Sequence, residues 1–351
     1  MKIRATPFHA RAARENQLNV WEPREGFTLA SHYGEPEAEA LAAHLTSAFA
    51  DISWRWRAML EGARVEEYLA RLVTKNPAKL APGEAFKAAW LTDKGGVRGA
   101  GVIARHGRES FVLTTTAADR EWIAQSAALF DVSVREPDEG GLAIVGRYAA
   151  KIVEAAGLDP ALEPLKFRKS FWRGADVTCS RFGEHGGYEI WCAPDDALLV
   201  WDRIAKAGQP FALKAIGVQA MDILDLEAGV PRPDRDYEPA RDGFAASPTP
   251  WELGLESLVD IDHTTFNGRA AALAAPRDKT RVGIAFDGET PRPRAPVKGG
   301  RTLSSLYSPA LKRAIALAVV DTAQAMPGTE LGGGARVAAL PFLTVPDQIA
   351  E

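Results

Sequence analysis

Residues 178–190 contain two β-rich segments that flank a glycine-rich turn. A strand is predicted from Tyr188 onward, and neighbouring side chains of a strand point to opposite faces. Glu189 therefore lies on the face opposite to Tyr188 and Ile190. A carboxylate that faces inward needs hydrogen-bond donors, because burying an unpaired charge is costly. Glu189 is thus either a solvent-facing residue or a binding residue.

The composition is that of a globular protein with room for two or three domains. The chain has 351 residues, of which 46% are hydrophobic and 25% charged. Its formal net charge of −4 and its dispersed basic residues argue against a nucleic-acid partner. No apolar run reaches the length of a membrane span, and the first residues lack a signal-peptide core. We therefore expect a cytoplasmic protein that acts on a small molecule, with neither nucleic acid nor membrane as a partner.

The sequence predicts no metal site. Cys179 and Cys192 are not at metal-ligand spacing, and the six histidines are scattered. Reduced core thiols are favoured for the two cysteines, with a disulfide as the alternative. His185, in the glycine-rich turn, either reaches a site or lies on the surface.

Periodicity predicts two successive units of mixed strands and helices, with the helices on one face of each sheet. Asp93-Lys-Gly-Gly96, which lies between two predicted strands, predicts a hairpin turn. Helices are predicted over 35–49, 64–73, 117–130, 147–156 and 195–207, and strands over 51–60, 84–92, 97–105, 110–115, 142–145, 176–180 and 188–192.

The last part of the chain is predicted to be a small β-barrel, because short strands alternate there with Pro- and Gly-containing turns from residue 281 onward. The proline-rich stretch 229–250 precedes it and predicts a long loop. Ser308-Pro309 could open a helix. The apolar run 315–320 also suits a buried strand, and periodicity does not decide between the two.

Several segments resemble one known family. Residues 178–190 are similar to the Ser-x-x-Gly-Tyr-x-Gly-Glu-x-Gly-Phe-Glu-Ile signature of the T-protein, or aminomethyltransferase, family of folate-binding one-carbon transferases. Each further match is weak alone, but their common order is specific. These matches are Asp51-Ile-Ser53, the glycines 95–96, and residues 142–146, 222–229, 249–255, 266–269, 307–309 and 315–318.

The resemblance implies an α+β fold of three domains arranged as a cloverleaf around a central channel. The first two domains would be interleaved α+β units, and the third would be the C-terminal β-barrel. Tetrahydrofolate would place its pterin inward and its glutamyl tail outward in the channel. The implied boundaries are 1–50 with 142–218, then 51–141 with 219–275, and finally 276–351.

The resemblance also implies a cofactor site. The second Glu of the family signature binds the pterin ring, and this Glu corresponds to Glu189. The Tyr that stacks on the pterin becomes Phe182, which keeps the ring and loses the hydroxyl. Tyr188 is the third residue that we assign to cofactor binding.

Departures from the family pattern point to a different substrate. After the hairpin the family usually reads Val-Ile-Asp-Asp, and its second Asp positions the amine, whereas this chain has Ala100 there. The family's Tyr one strand earlier becomes Lys87, an Arg becomes Met221, and Arg98 precedes Ala100 by two positions. A pocket that loses a carboxylate and gains cations repels an amine and attracts an anion.

We therefore predict Lys87 and Arg98 as catalytic residues that stabilise an anion. Both are alternatively solvated hairpin residues. A set of aromatic residues is predicted to wall in a flat substrate, although a tryptophan on an amphipathic strand belongs to a core more often than to a pocket. This set consists of Trp54, Trp56, Trp90, Trp251 and Tyr237.

The leading hypothesis is a tetrahydrofolate-dependent methyltransferase, similar to folate-dependent demethylases, that acts on a small anionic, methoxylated aromatic compound without a lipoyl carrier protein. Lys87 or Arg98 would stabilise the departing oxyanion. The alternative is a folate-independent lyase that releases formaldehyde from a hydroxymethyl-bearing aromatic substrate, with Lys87 as the base. A third class, folate-binding repair factors for iron–sulfur assembly, carries a Lys-Gly-Cys-Tyr-x-Gly-Gln motif, which His263-Thr-Thr-Phe-Asn-Gly-Arg269 does not match.

Overall fold

The computed structural model describes residues 3–116, 119–183, 185–233, 235–241 and 248–343. The first residues of the helix predicted over 117–130, part of the loop predicted over 229–250, and residues 344–351 of the implied barrel lie outside these ranges. None of the described helices is long and apolar enough to cross a membrane.

The described chain contains strands β1–β20 and helices α1–α8. The strands, in chain order, are Arg4–Ala5, Trp21–Arg24, Phe27–Ala30, Ser47–Asp51, Trp56–Glu61, Ala85–Leu91, Val97–Gly107, Ser110–Thr115, Ser133–Arg135, Gly140–Gly146, Phe167–Trp172, Ala175–Ser180, Tyr188–Cys192, Lys214–Ala215, Lys279–Phe286, Pro296–Val297, Gly300–Ser308, Arg313–Asp321, Glu330–Gly332 and Ala335–Ala338. The helices are His9–Glu15, Pro36–Leu45, Val65–Leu72, Arg120–Ala128, Ala149–Ala156, Ala197–Gly208, Val218–Glu227 and Arg269–Ala274.

Two α+β units are interleaved along the chain, as the resemblance implies. The first sheet has the strand order β11-β12-β13-β10-β4-β14, and the second has the order β6-β7-β8-β5-β9. Strand β4 precedes the whole second sheet in sequence and pairs with β10, which follows it. The implied domain boundaries themselves stay a prediction.

Helices cover both faces of the first sheet, so the prediction of helices on one face is wrong there. Helices α1, α5 and α6 pack on the face that carries Tyr188 and Ile190. Helices α2 and α7 pack on the opposite face against Ala48, Ala50 and Val145. The short side chains of the two alanines allow these helices to approach the sheet closely.

The C-terminal residues form a nearly closed, barrel-like sheet with the order β16-β17-β18-β15-β20-β19. The apolar run 315–320 lies in β18, so the strand alternative is correct. A turn follows Ser308, and β17 and β18 form an antiparallel pair. Helix α7 packs against both strands and joins this sheet to the first unit.

Two predicted boundaries near residue 50 are wrong. Helix α2 ends at Leu45, and Phe49 lies in β4. Both faces of β4 are buried, so its sequence lacks the alternation of apolar and polar residues that marks a half-buried strand. The strand predicted over 51–60 is broken by a turn at 52–55. The Asp51 carboxylate makes this turn by accepting hydrogen bonds from the backbone N–H of Ser53 at 2.9 Å and from its hydroxyl at 2.6 Å.

Candidate functional site

A central cavity of about 450 Å³ lies where the first sheet, the second sheet, α7 and the barrel-like sheet meet. Its walls come from strands β6, β7 and β8, from the glycine-rich turn before β13, from the end of α7 and the loop after it, and from β15. This size is typical of sites that enclose a small ligand or cofactor.

Glu189 is the most buried charged residue of the cavity wall, with 2% of its surface exposed. As the strand alternation predicts, Tyr188 and Ile190 pack into the core on the opposite face. One carboxylate oxygen accepts a hydrogen bond from Arg55 Nη1 at 2.6 Å, and the other accepts one from Trp191 Nε1 at 3.3 Å. Glu189 thus faces the cavity rather than solvent.

Phe182 lines the cavity close to Glu189 and belongs to a column of aromatic rings. Its ring meets Phe167 edge-to-face at 6.0 Å, and Phe167 stacks on His106 at 4.3 Å. Burial, together with the nearby positive charges of Lys169 and Arg57, lowers the pKa of His106 to about 3. The column therefore contains a neutral imidazole at physiological pH.

Lys87 and Ala100 both line the central cavity. Lys87 on β6 is directly opposite Val102 on β7, and Ala89 is opposite Ala100. Because side chains two positions apart share a face, Lys87 and Ala100 lie on the same side of this strand pair. The position where the family pattern carries a carboxylate is therefore occupied by a methyl group, beside a cationic side chain.

Arg98 does not belong to the described lining of this cavity, which corrects its predicted placement. The register of β6 and β7 shifts between Trp90, which is opposite Gly99, and Leu91, which is opposite Val97. Arg98 is therefore the extra residue of a β-bulge and has no residue directly opposite it on β6. The Arg98 guanidinium forms an ion pair with Asp119 and stacks on the Trp122 ring at 4.0 Å. This bulge removes Arg98 from the row that holds Lys87 and Ala100.

The four predicted tryptophans also lie outside the described lining of the central cavity. Trp56 and Trp90 belong to the core of the second unit, and Trp251 donates from Nε1 to the carbonyl of Ala272 at 2.7 Å. Trp54 packs with Phe27, Leu29 and Val218.

Of the predicted aromatic wall, Tyr237 lines the central cavity. Tyr188 does not line it within the described residues: it is 1% exposed in the core and donates its hydroxyl to the carbonyl of Pro160. This position does not support the assignment of Tyr188 to cofactor binding, which stays a prediction. The strand alternation that places Glu189 in the cavity necessarily turns Tyr188 away from it.

Three arginines that the sequence analysis did not single out line the central cavity: Arg55, Arg232 and Arg281. Arg281 is tied to the cavity wall, since its Nε donates to the carbonyl of Leu253 at 2.6 Å and its terminal nitrogens donate to those of Gly229 and Gly254. Each of these contacts joins segments that are far apart in sequence, so no local sequence pattern predicts the position of Arg281.

Asp225 is the second carboxylate of the cavity wall. Burial would raise the pKa of Asp225, but the hydrogen bond with His185 at 3.0 Å and the charges of His185, Arg235 and Arg55 lower it overall. Arg232 lies 3.4 Å from the other Asp225 oxygen. His185 therefore reaches the site indirectly, through Asp225.

The described lining carries four cationic side chains and two carboxylates, and both carboxylates are already paired with cations. The cations are Arg55, Lys87, Arg232 and Arg281. Burial and the neighbouring Arg235 and Arg24 lower the pKa of Arg232 to about 9, which still leaves it protonated at neutral pH. A net positive cavity favours an anionic ligand.

The residues present fit a pterin. Glu189 offers a buried acceptor with lone pairs beyond the two hydrogen bonds that it already makes. Phe182 offers a ring face. Gly183 leaves space beside the carboxylate, since a Cβ there would lie 3.9 Å from Glu189 Oε1. Among the described residues, no group of three or more His, Cys, Asp or Glu side chains could hold a metal ion.

Comparisons with known proteins agree with this architecture. Residues 9–263 match the family described as the GCVT N-terminal domain. An aminomethyltransferase from Frankia alni is 30% identical over 288 residues, which cover 77% of each chain. An aminomethyltransferase from Synechococcus sp. is 29% identical over 361 residues and covers 95% of this chain and 94% of its own length.

A solved structure shares the fold over almost its whole length. It is the glycine cleavage system aminomethyltransferase T from Bartonella henselae, which superposes with a TM-score of 0.86 at 21% sequence identity. The superposition covers 98% of this chain and 99% of the other. The arrangement of two interleaved units and a barrel-like sheet is thus that of a solved protein.

Proposed function

Because this chain belongs to the aminomethyltransferase (T-protein) family of folate-dependent one-carbon transferases, we propose that it transfers a methyl group between a small anionic substrate and tetrahydrofolate. The observation that carries the proposal is that Lys87 and Ala100 lie on the same, cavity-facing side of one strand pair. A methoxylated aromatic acid is the proposed substrate. As a free small molecule, it requires no lipoyl carrier protein.

The proposed substrate is defined first by its charge. A cationic aminomethyl group needs a carboxylate near the reacting atoms, and Ala100 offers none. Lys87, in contrast, suits a carboxylate or a phenolate. At an intermediate effective dielectric, one such charged contact contributes on the order of a few kcal/mol. Tyr237 is the aromatic side chain that supports a ring-bearing substrate, and the four tryptophans do not enter the proposal.

The residues of the cavity have distinct proposed roles. When bound, tetrahydrofolate supplies the nitrogen that exchanges the one-carbon unit. Glu189 accepts hydrogen bonds from the N–H groups of the pterin and Phe182 packs on its ring. The Lys87 ammonium stabilises the negative charge that develops on the oxygen losing its methyl group.

A matched pair of variants tests this proposal. Lys87→Met removes the cation that lies beside Ala100 in the cavity, whereas Arg98→Met removes a cation that is paired with Asp119 outside the described lining. With tetrahydrofolate and a methoxybenzoate, Lys87→Met is expected to lower kcat/KM about 100-fold, as the loss of one stabilising donor does. Arg98→Met should instead lower the free energy of unfolding and leave the activity of the folded fraction close to that of the unchanged protein.

The readout is the demethylated phenol together with methylated folate, quantified by mass spectrometry. Glu189→Gln should weaken tetrahydrofolate binding in calorimetry, because an amide presents a poorer acceptor. Equal activity of the Lys87→Met and unchanged proteins would contradict the role of Lys87. Efficient turnover of an aminomethyl donor would contradict the anionic substrate.

One observation favours a second candidate, the folate-independent lyase. Arg55 pairs with the carboxylate that the family uses for the pterin, at 2.6 Å. If this ion pair persists, the cavity serves the substrate alone and Lys87 acts as the base. Formaldehyde released from a hydroxymethyl-bearing aromatic substrate without added folate would select this candidate.

A further inference from the structure

The glycine-rich turn 181–187 precedes β13, and both of its ends are fixed within the first unit. At the first end, Arg181 Nη1 donates to the carbonyl of Leu162 at 3.1 Å. At the second end, Gly187 packs so closely on β10 that a Cβ there would lie 2.1 Å from the carbonyl oxygen of Ile144. Neither of these contacts involves α7.

The middle of the turn is bound to α7 by a pair of side chains. His185 Nε2 lies 3.0 Å from Asp225 Oδ1, and the two side chains are 4% and 14% exposed. Asp225 lines the central cavity from α7, and Phe182 and Gly183 line it from the turn. The His185–Asp225 pair therefore joins the turn to α7 at the wall of the cavity.

The residue at position 185 matches the carboxylate that it meets. In the family signature over 178–190 the first Glu corresponds to His185. A Glu there would place a second carboxylate against that of Asp225, and two adjacent carboxylates repel each other. Burial raises the pKa of Asp225, and the hydrogen bond with His185 is the largest of the contributions that lower it overall. A carboxylate at position 225 thus favours a donor at position 185.

We infer that His185 is a positioning residue of the central cavity. It does not belong to the described lining, so it acts through its neighbours. Its hydrogen bond fixes the direction of the Asp225 carboxylate and holds the turn in place, and with it the Phe182 ring beside Glu189. The effect on cofactor binding rests on the proposed function, whereas the attachment of the turn to α7 does not.

Hydrogen exchange on the full chain without ligand tests the attachment. His185→Ala removes the hydrogen bond, and amides of the turn should exchange about tenfold faster, the effect expected for one hydrogen bond to a charged group. His185→Gln offers an amide N–H close to the position of Nε2 and should restore slow exchange. His44→Ala is the matched control, because it breaks another His–carboxylate pair of α7, with Glu227, outside the described lining of the cavity. It should lower the free energy of unfolding without faster exchange in the turn.

Calorimetry with tetrahydrofolate then distinguishes a positioning role from a merely structural one. His185→Ala should weaken binding about tenfold, whereas His185→Gln and His44→Ala should bind like the unchanged protein. Equal exchange of the turn in the His185→Ala and unchanged proteins would overturn the inference. Faster exchange without a loss of affinity would overturn the positioning role, as would equal losses in His185→Ala and His185→Gln. Absence of tetrahydrofolate binding by the unchanged protein would contradict the proposed function, and the exchange of the turn would then decide the inference by itself.

Discussion

Glu189 connects the central cavity and a second cavity, of about 260 Å³, through its hydrogen bonds. Arg55, which donates to one of its oxygens, lines both cavities, and Trp191, which donates to the other, lines the second. The walls of the two cavities are thus joined at the Glu189 carboxylate, through one arginine and one indole.

His106 makes stability depend on pH in a predictable direction. Its pKa is about 3 in the folded protein, against an ordinary value of 6.5. Between these two pH values His106 is protonated in the unfolded chain and neutral in the folded protein. The contribution of His106 is fully present above about pH 6.5 and is lost progressively as the pH falls toward 3. His106→Phe, which keeps a ring against Phe167, should flatten this part of the stability profile.

Urea unfolding at several pH values measures the effect. The two proteins should differ by a constant amount above pH 7 and converge or cross as the pH falls from 6.5. Parallel stability profiles between pH 6.5 and 4 would show that His106 titrates normally in the folded state.

Strand alternation predicted that Glu189 points away from Tyr188 and Ile190, whereas Lys87 was predicted from the resemblance. Glu189 and Lys87 lie on strands of regular register, and both line the cavity. Arg98 was misplaced because a bulge interrupts the alternation. Arg55 had no local signal, since its partner Glu189 lies 134 residues away in sequence.

The β6–β7 hairpin is the element that aligns Lys87 with Ala100, and its turn is held against α8. Gly95 in this turn has a φ of +79°, and a Cβ there would lie 2.6 Å from the backbone nitrogen of Ala272. Both its conformation and its surroundings therefore require glycine.

Gly95→Ala should destabilise the protein more than Gly174→Ala. Gly174, in the β11–β12 turn, also has a positive φ, of +95°, but a Cβ there would meet nothing within 4 Å. Both changes cost about 1–2 kcal/mol for the left-handed backbone. Gly95→Ala adds about 1–3 kcal/mol for the clash with α8. Equal losses in the two unfolding free energies would show that the hairpin moves freely away from α8.

The sequence predicted the presence of helices and strands better than the residues at which they begin and end. The hairpin and strands β8, β12 and β13 were predicted close to their observed bounds, because glycine turns and alternating residues mark them. Helix α2 and β4 were merged into one helix. Every residue of 47–50 is buried, so the alternation that distinguishes a half-buried strand is absent there.

At the scale of the whole molecule, three segments meet at one buried carboxylate. Glu227, at the end of α7, is 1% exposed and accepts hydrogen bonds from His44 on α2 at 2.6 Å and from Ser308 on β17 at 2.5 Å. Its backbone carbonyl also accepts from the N–H of Phe342 at 2.8 Å. This junction attaches the barrel-like sheet to the first unit, and with it the Arg281 side of the central cavity.

Ser308→Ala should therefore loosen the whole assembly rather than the barrel alone. It leaves a buried carboxylate short of one donor, which costs about 1.5–3 kcal/mol. Ser304→Ala on the same strand is the matched control, because the buried Ser304 hydroxyl has no partner among the described residues and its removal should cost nothing. Hydrogen exchange should show faster opening in both β17 and α7 for Ser308→Ala. Faster exchange confined to β17 would mean that Glu227 does not couple the two parts.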